Sequence, residues 1–174
     1  GLGILWRGLL KGRTNPSLLY RFQGALQPNK VAIRWRGQQM TFAELDALID
    51  TIGRGLQALG LGQDSRIVSM LENRPETIAL AAALSRIGAS GITISPHSTA
   101  SEIEYLVRHS GADGMVFTGQ ASEVVHAAWP SFDKVSKERM ICLGEQAQGM
   151  ASFDELLRLG ARRRPREGDD PAVI

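Results

Sequence analysis

Short apolar runs alternate with capped helical segments along most of this chain, and that alternation limits its folds more than any other property. Val31-Ala32-Ile33-Arg34-Trp35 alternates in polarity, Arg36-Gly37 makes a turn, and Gln38 to Phe42 reads as the returning strand of a hairpin. Thr41 and Glu44 stand at capping-box spacing, after which Leu45, Leu48, Ile49, Ile52, Leu56 and Leu59 share one helical face up to Gly60. Arg66 to Leu71 is an apolar run suited to a buried parallel strand. Asn73 and Pro75 lead into an Ala-rich helix that runs to Ile87 and stops at Gly88. Ser90 to Ile94 reads as a strand leaving through Pro96-His97-Ser98-Thr99, and Thr99 with Glu102 caps a helix carrying Ile103, Leu106 and Val107. Beyond His109-Ser110-Gly111 the pattern predicts strands at Gly114 to Phe117 and Arg139 to Leu143, with helices at Ala121 to Ala128 and Ser152 to Leu159. Such alternation closes through right-handed βαβ crossovers. The expected class is therefore α/β: a mainly parallel sheet covered by helices, with a short antiparallel hairpin near the amino terminus.

Three stretches follow from this pattern. Residues 1–28 read as a helical or loop segment, 29–161 as the α/β unit, and 162–174 as a linker leading into the start of a strand at Asp169 to Ile174. At 174 residues, 43% hydrophobic and 22% charged, the chain has the length and composition of a packed globular unit rather than a disordered one. A net charge of +2 on so many charged residues provides no electrostatic basis for nucleic-acid binding. The lone cysteine, Cys142, lies in Met140-Ile141-Cys142-Leu143, where it reads as a small buried hydrophobe. Without a disulfide framework the chain suits a reducing cytoplasm.

The phosphate-binding and nucleophile motifs fail on context. Gly60-Leu61-Gly62 holds two glycines of a dinucleotide fingerprint but follows a helix instead of a strand, so it reads as a helix end and turn. No Gly-Lys pair occurs, which removes a Walker-type loop, and Gly88-Ala89-Ser90-Gly91 lacks the spacing of a nucleophile elbow. His97, His109 and His126 stand far apart without a metal-ligand companion at helical or Cys-x-x-Cys spacing. On these grounds no catalytic, cofactor-binding or metal-ligating residue is assigned. His97 alone follows a strand end, where open α/β sheets gather their ligands, and is the single candidate for substrate binding; the competing reading is a solvated loop histidine.

The order of the segments resembles a known family. Val31-Ala32-Ile33 followed by Met40-Thr41-Phe42-Ala43-Glu44-Leu45, then Gly62 to Val68, Leu71-Glu72-Asn73-Arg74-Pro75-Glu76, Gly88-Ala89 through Ser95-Pro96, and Glu102-Ile103-Glu104-Tyr105-Leu106, is similar to the amino-terminal part of the adenylate-forming superfamily. That superfamily includes acyl-CoA synthetases, luciferases and the adenylation domains of peptide synthetases. Asp169 to Ile174 resembles the strand before the family's ATP-phosphate loop. The loop, the later nucleotide motifs and the small carboxy-terminal domain with its lysine have no counterpart in this sequence.

The resemblance implies a carboxylate attacking the α-phosphate of ATP, and a thiol such as coenzyme A then displacing AMP, with magnesium meeting the phosphate charge. The segment pattern is most similar to acyl-CoA ligases for fatty or related hydrophobic acids. A peptide-synthetase adenylation domain and a non-catalytic α/β binding module are the alternatives. The 174-residue chain alone is expected to form no acyl-adenylate. Leu5, Trp6, Leu9 and Leu10 with Arg7, Lys11 and Arg13 could lie at an anionic membrane as a peripheral contact through residues 1–13, or pack as a helix on their own domain. Arg162-Arg163-Arg164-Pro165-Arg166 could meet phosphate or lipid, or be a solvated linker beside Glu167, Asp169 and Asp170.

Overall fold

The computed structural model describes residues 15–144 and 149–164. After helix α1 (Ser17–Leu26) the hairpin forms as its alternation predicts: β1 (Val31–Trp35) pairs antiparallel with β2 (Gln38–Thr41), bringing Ile33 opposite Met40 and Trp35 opposite Gln38. Arg36 and Gly37 both take positive φ, 47° and 79°, which is the pair of left-handed conformations a two-residue hairpin turn needs.

Helix α2 (Phe42–Ala58) starts on a complete capping box, with the Thr41 hydroxyl accepting from the Glu44 backbone and the Glu44 carboxylate accepting from the Thr41 N–H at 2.7 Å. Helix α4 (Ala100–Ser110) repeats the device with Thr99 and Glu102. In both, the hydrogen bond from the threonine backbone, then that from its hydroxyl, holds the glutamate carboxyl below its ordinary value. A carboxyl lowered in the folded state contributes stability above its unfolded value and loses it as pH falls through its folded value. Thr41→Val removes the hydroxyl, so the Glu44 titration followed by NMR moves up toward the ordinary glutamate range. An unmoved titration would show that the hydroxyl contributes nothing.

The main sheet comprises β3 (Arg66–Met70), β4 (Ser90–Thr93), β5 (Gly114–Thr118), β6 (Met140–Leu143) and the two-residue β7 (Ala151–Ser152), in the order β4-β3-β5-β6-β7 and parallel throughout. Helices α3 (Pro75–Arg86), α5 (Ser122–Ala128) and α6 (Phe153–Arg162) complete the set with α2 and α4. Side chains alternate between the faces with the period of two that a pleated strand imposes. Val116, Ile141 and Leu143 join the core beneath α2, α3 and α6, whereas Met115, Phe117, Met140 and Cys142 join the core beneath α4 and α5. Strand β5 is buried at every position because both faces are covered, which explains its unbroken apolar sequence.

Several expectations shift by a few residues. Arg74, not Asn73, is the residue before α3, and it makes no side-chain cap; Pro75 supplies the pre-organised first turn. A 3₁₀ turn at Gly119–Ala121 precedes α5. The last helix, capped by Ser152 and Glu155, runs past Leu159 to Arg162, and β7 was too short to leave a pattern. The segments Leu5 to Arg13 and Asp169 to Ile174 lie outside the described residues. No helix among the described residues is long and apolar enough to cross a membrane.

Candidate functional site

The strand order places one crevice apart from the rest. From β3 the chain leaves through α3, on the face of the first core cluster, to reach β4; from the neighbouring β5 it leaves through α5, on the opposite face, to reach β6. Loops that part from adjacent strands toward opposite faces open a cleft outside the carboxyl ends, the usual ligand position in an open parallel sheet. Here the cleft lies between Leu71-Glu72-Asn73-Arg74 after β3 and Gly119-Gln120-Ala121 after β5.

The β3 loop is held firmly. The Trp35 indole N–H donates to the Asn73 carbonyl at 3.2 Å, and Arg74 and Arg36 place their guanidinium carbons 5.5 and 4.7 Å from the Trp35 ring centre. The Arg74 guanidinium also donates to both oxygens of Glu76, at 2.9 and 3.4 Å, and the Thr77 hydroxyl donates to the Glu72 carbonyl at 2.6 Å. Sequence reading passed over Trp35 and Arg74; the available signal was an Arg-Trp-Arg run at a hairpin tip, whose partner lies 38 residues away. A cavity of about 300 Å³ opens beside this loop, lined among others by Arg74, Glu76, Leu143, Ser152 and Asp154. A larger one, about 560 Å³, lies at the amino ends of the strands against the last turns of α6. Of the two, the smaller borders the cleft, through Arg74 on the loop after β3; its other walls come from α2, the end of β6 and the start of α6, and Gly119, Gln120 and Ala121 do not line it.

His97 occupies the β4–α4 loop, exposed, with its backbone N–H on the Ser95 hydroxyl at 3.2 Å. It lines neither cavity. His109 stacks on Tyr105 and His126 meets Trp129 edge to face, so the three histidines stay apart. Cys142 is fully buried in β6.

The sequence profile of the AMP-binding enzyme family matches residues 20–174. The chain belongs to that family. The chain is 38% identical over 106 residues to triostin synthetase I of Streptomyces triostinicus, a match covering 61% of the chain and 20% of that protein. It is 30% identical over 134 residues to the 2,3-dihydroxybenzoate-AMP ligase of Bacillus subtilis, covering 77% of the chain and 23% of that protein. The chain thus spans about a fifth of the length of these curated relatives. Its fold is similar to that of a Mycobacterium tuberculosis fatty acyl CoA synthetase, with a TM-score of 0.73 at 20% identity over 92% of the chain and 30% of the other.

Family membership implies ATP as a ligand. Arg74, at the edge of the cleft, is already committed to Glu76 and Trp35, and Asp154 in the adjoining cavity adds negative charge. Among the described residues no group of three or more His, Cys, Asp or Glu side chains could hold a metal ion. These residues do not form a cradle for a triphosphate with its metal. What the chain supplies here is the parallel sheet and the two loops that bound the crevice.

Proposed function

We propose that the full-length protein uses ATP to activate a carboxylic acid as its acyl-adenylate and passes the acyl group to coenzyme A, with a fatty or related hydrophobic acid as substrate. The observation that carries the reading is the family match across residues 20–174, lying over a sheet with its switch point at β3 and β5. The acyl-CoA ligase form is supported by the order of segments from Asn29 to Gly119. Magnesium and coenzyme A enter with this proposal, as does a reducing compartment.

A second reading, an acid–AMP ligase or the adenylation domain of a peptide synthetase, is favoured by the identities to triostin synthetase I and the 2,3-dihydroxybenzoate-AMP ligase. Exchange of pyrophosphate into ATP separates the two. With the full-length protein, exchange that depends on a fatty acid, followed by AMP release when coenzyme A is added, is the expected result. Exchange with aryl or amino acids and no turnover of coenzyme A supports the second reading, and no acid-dependent exchange overturns both. The 174-residue chain alone is expected to give none. His97 is proposed to contact substrate; unchanged kinetics in His97→Ala would remove it from the site.

A further inference from the structure

The larger cavity stands apart from the cleft and from the activity proposed for it. Leu59 at the end of α2, Met150 before β7, and Leu156 and Leu159 on α6 give it apolar walls, and its volume of about 560 Å³ is in the range that small-molecule ligands occupy. The Arg139 Nε–H donates to the Leu59 carbonyl at 3.2 Å, tying the α2 wall to the turn that carries Lys137. Three cations line the same space: Lys137 from that turn, and Arg158 with Arg162, one helical turn apart on the same face of α6.

Among the described residues, no ion pair takes up any of the three. The two carboxylates in the lining are engaged elsewhere. Glu155 accepts from the Ser152 backbone N–H at 3.1 Å as part of the α6 cap. The Glu138 carboxyl is held below its ordinary value by its own backbone N–H, then by Ser136, with the charges of Lys137 and Arg139 adding to the effect. The cavity therefore combines apolar walls with three cations that no carboxylate among the described residues meets at ion-pair distance, Lys137 alone having the charge of Glu138 beside it. It also gives Arg162, the first residue of the basic run, a place in the fold.

We propose that this cavity binds an anionic amphiphile, a single apolar chain ending in a carboxylate or phosphate, with the chain against Leu59, Met150, Leu156 and Leu159 and the head on Lys137, Arg158 and Arg162. Two charge-assisted contacts to a guanidinium pair are the main recognition element. A quaternary ammonium head of the same chain length is rejected, because it meets like charge.

The test uses the full-length protein and 11-(dansylamino)undecanoate, whose fluorescence reports entry into an apolar site. A fatty-acid substrate would also occupy the cleft, so two classes of binding site are expected. The Arg158→Gln, Arg162→Gln double variant should weaken one class by about tenfold or more, the loss of two charged contacts. Acid-dependent pyrophosphate exchange should stay within about twofold, since neither arginine lies at the cleft. Both positions are exposed, and circular dichroism of the variant should match that of the wild type. Dodecanoate and dodecyl phosphate then compete for the affected class, and whichever competes better identifies the head group. The proposal is overturned if the double variant binds the probe as the wild type does, or if dodecyltrimethylammonium competes equally. It also fails if no second class exists because another part of the protein fills the cavity. Unchanged probe binding together with a loss of exchange would count against this inference while leaving the proposed activity to its own test.

Discussion

Replacing Arg86 with alanine should lower the unfolding free energy by about 3–5 kcal/mol, the cost of breaking a buried ionic network from one side. Arg86 is only 3% exposed although it carries a full charge. Its guanidinium reaches Asp46 at 2.7 Å and Asp50 at 2.8 Å on α2, and the Ser17 carbonyl at 3.2 Å at the start of α1. Asp50 is shared with Arg21 at 3.0 Å, so one cluster binds α1, α2 and α3 together. Asn15 extends the junction, accepting from the Ser85 hydroxyl at 2.7 Å and donating to the Ser85 carbonyl. Removing the arginine leaves Asp46 without its cation and Asp50 with Arg21 and the more distant Arg54 alone. For a protein of this size the loss corresponds to roughly 10 °C in melting temperature, read by thermal or denaturant unfolding. Arg86→Met, which keeps the packing volume but still strands the carboxylates, should fall between alanine and wild type. A loss below about 1 kcal/mol for Arg86→Ala would mean that water reaches Asp46 and Asp50 and the cluster is of the surface kind.

Gly160→Ala should be at least as disruptive, for a steric reason. Helices α2 and α6 approach so closely that a methyl group on Gly160 would overlap the Thr51 carbonyl oxygen and stand 3.0 Å from the Gly55 backbone nitrogen. These are backbone atoms and cannot rotate away, so the helices must separate. Overpacking of this kind costs about 3 kcal/mol or more. Gly55 makes the reciprocal contact, where an added Cβ would meet the Leu156 carbonyl. The Gly160 carbonyl also accepts from Arg54 Nε at 3.0 Å, a bond that separation would break. Gly62→Ala serves as the control: no atom lies within 4 Å of its added Cβ, and its stability should change by less than about 1 kcal/mol. If Gly160→Ala melted like Gly62→Ala, the close crossing of α2 and α6 would be refuted.

The elements that were legible from sequence share one property: their signals are local. The Thr41 and Thr99 caps, the apolar faces of α2 and α4, and the buried run of β5 all depend on neighbours within a few residues. The misreadings have long-range causes. The helix expected at Ser152 to Leu159 continues through Gly160 to Arg162, and Thr51 and Gly55, over a hundred positions upstream, leave no room for a side chain at Gly160. Arg86 near the end of the Ala-rich helix carries no local signal of burial, and only the arrival of Asp46, Asp50 and Ser17 buries it. At the cleft, sequence pointed to His97, which stays exposed in its loop, and gave no sign that Trp35 would hold the loop after β3.

By itself, then, the sequence determined the α/β class, the succession of strands and helices, and the family to which the segment order belongs, because periodicity, caps and turn residues act between near neighbours. The tertiary structure decided the strand order, the parting of the β3 and β5 loops, the buried arginine and the cavity walled by α2 and α6. Each of these joins residues far apart along the chain, and their approach depends on the packing of the entire sheet rather than on any single segment.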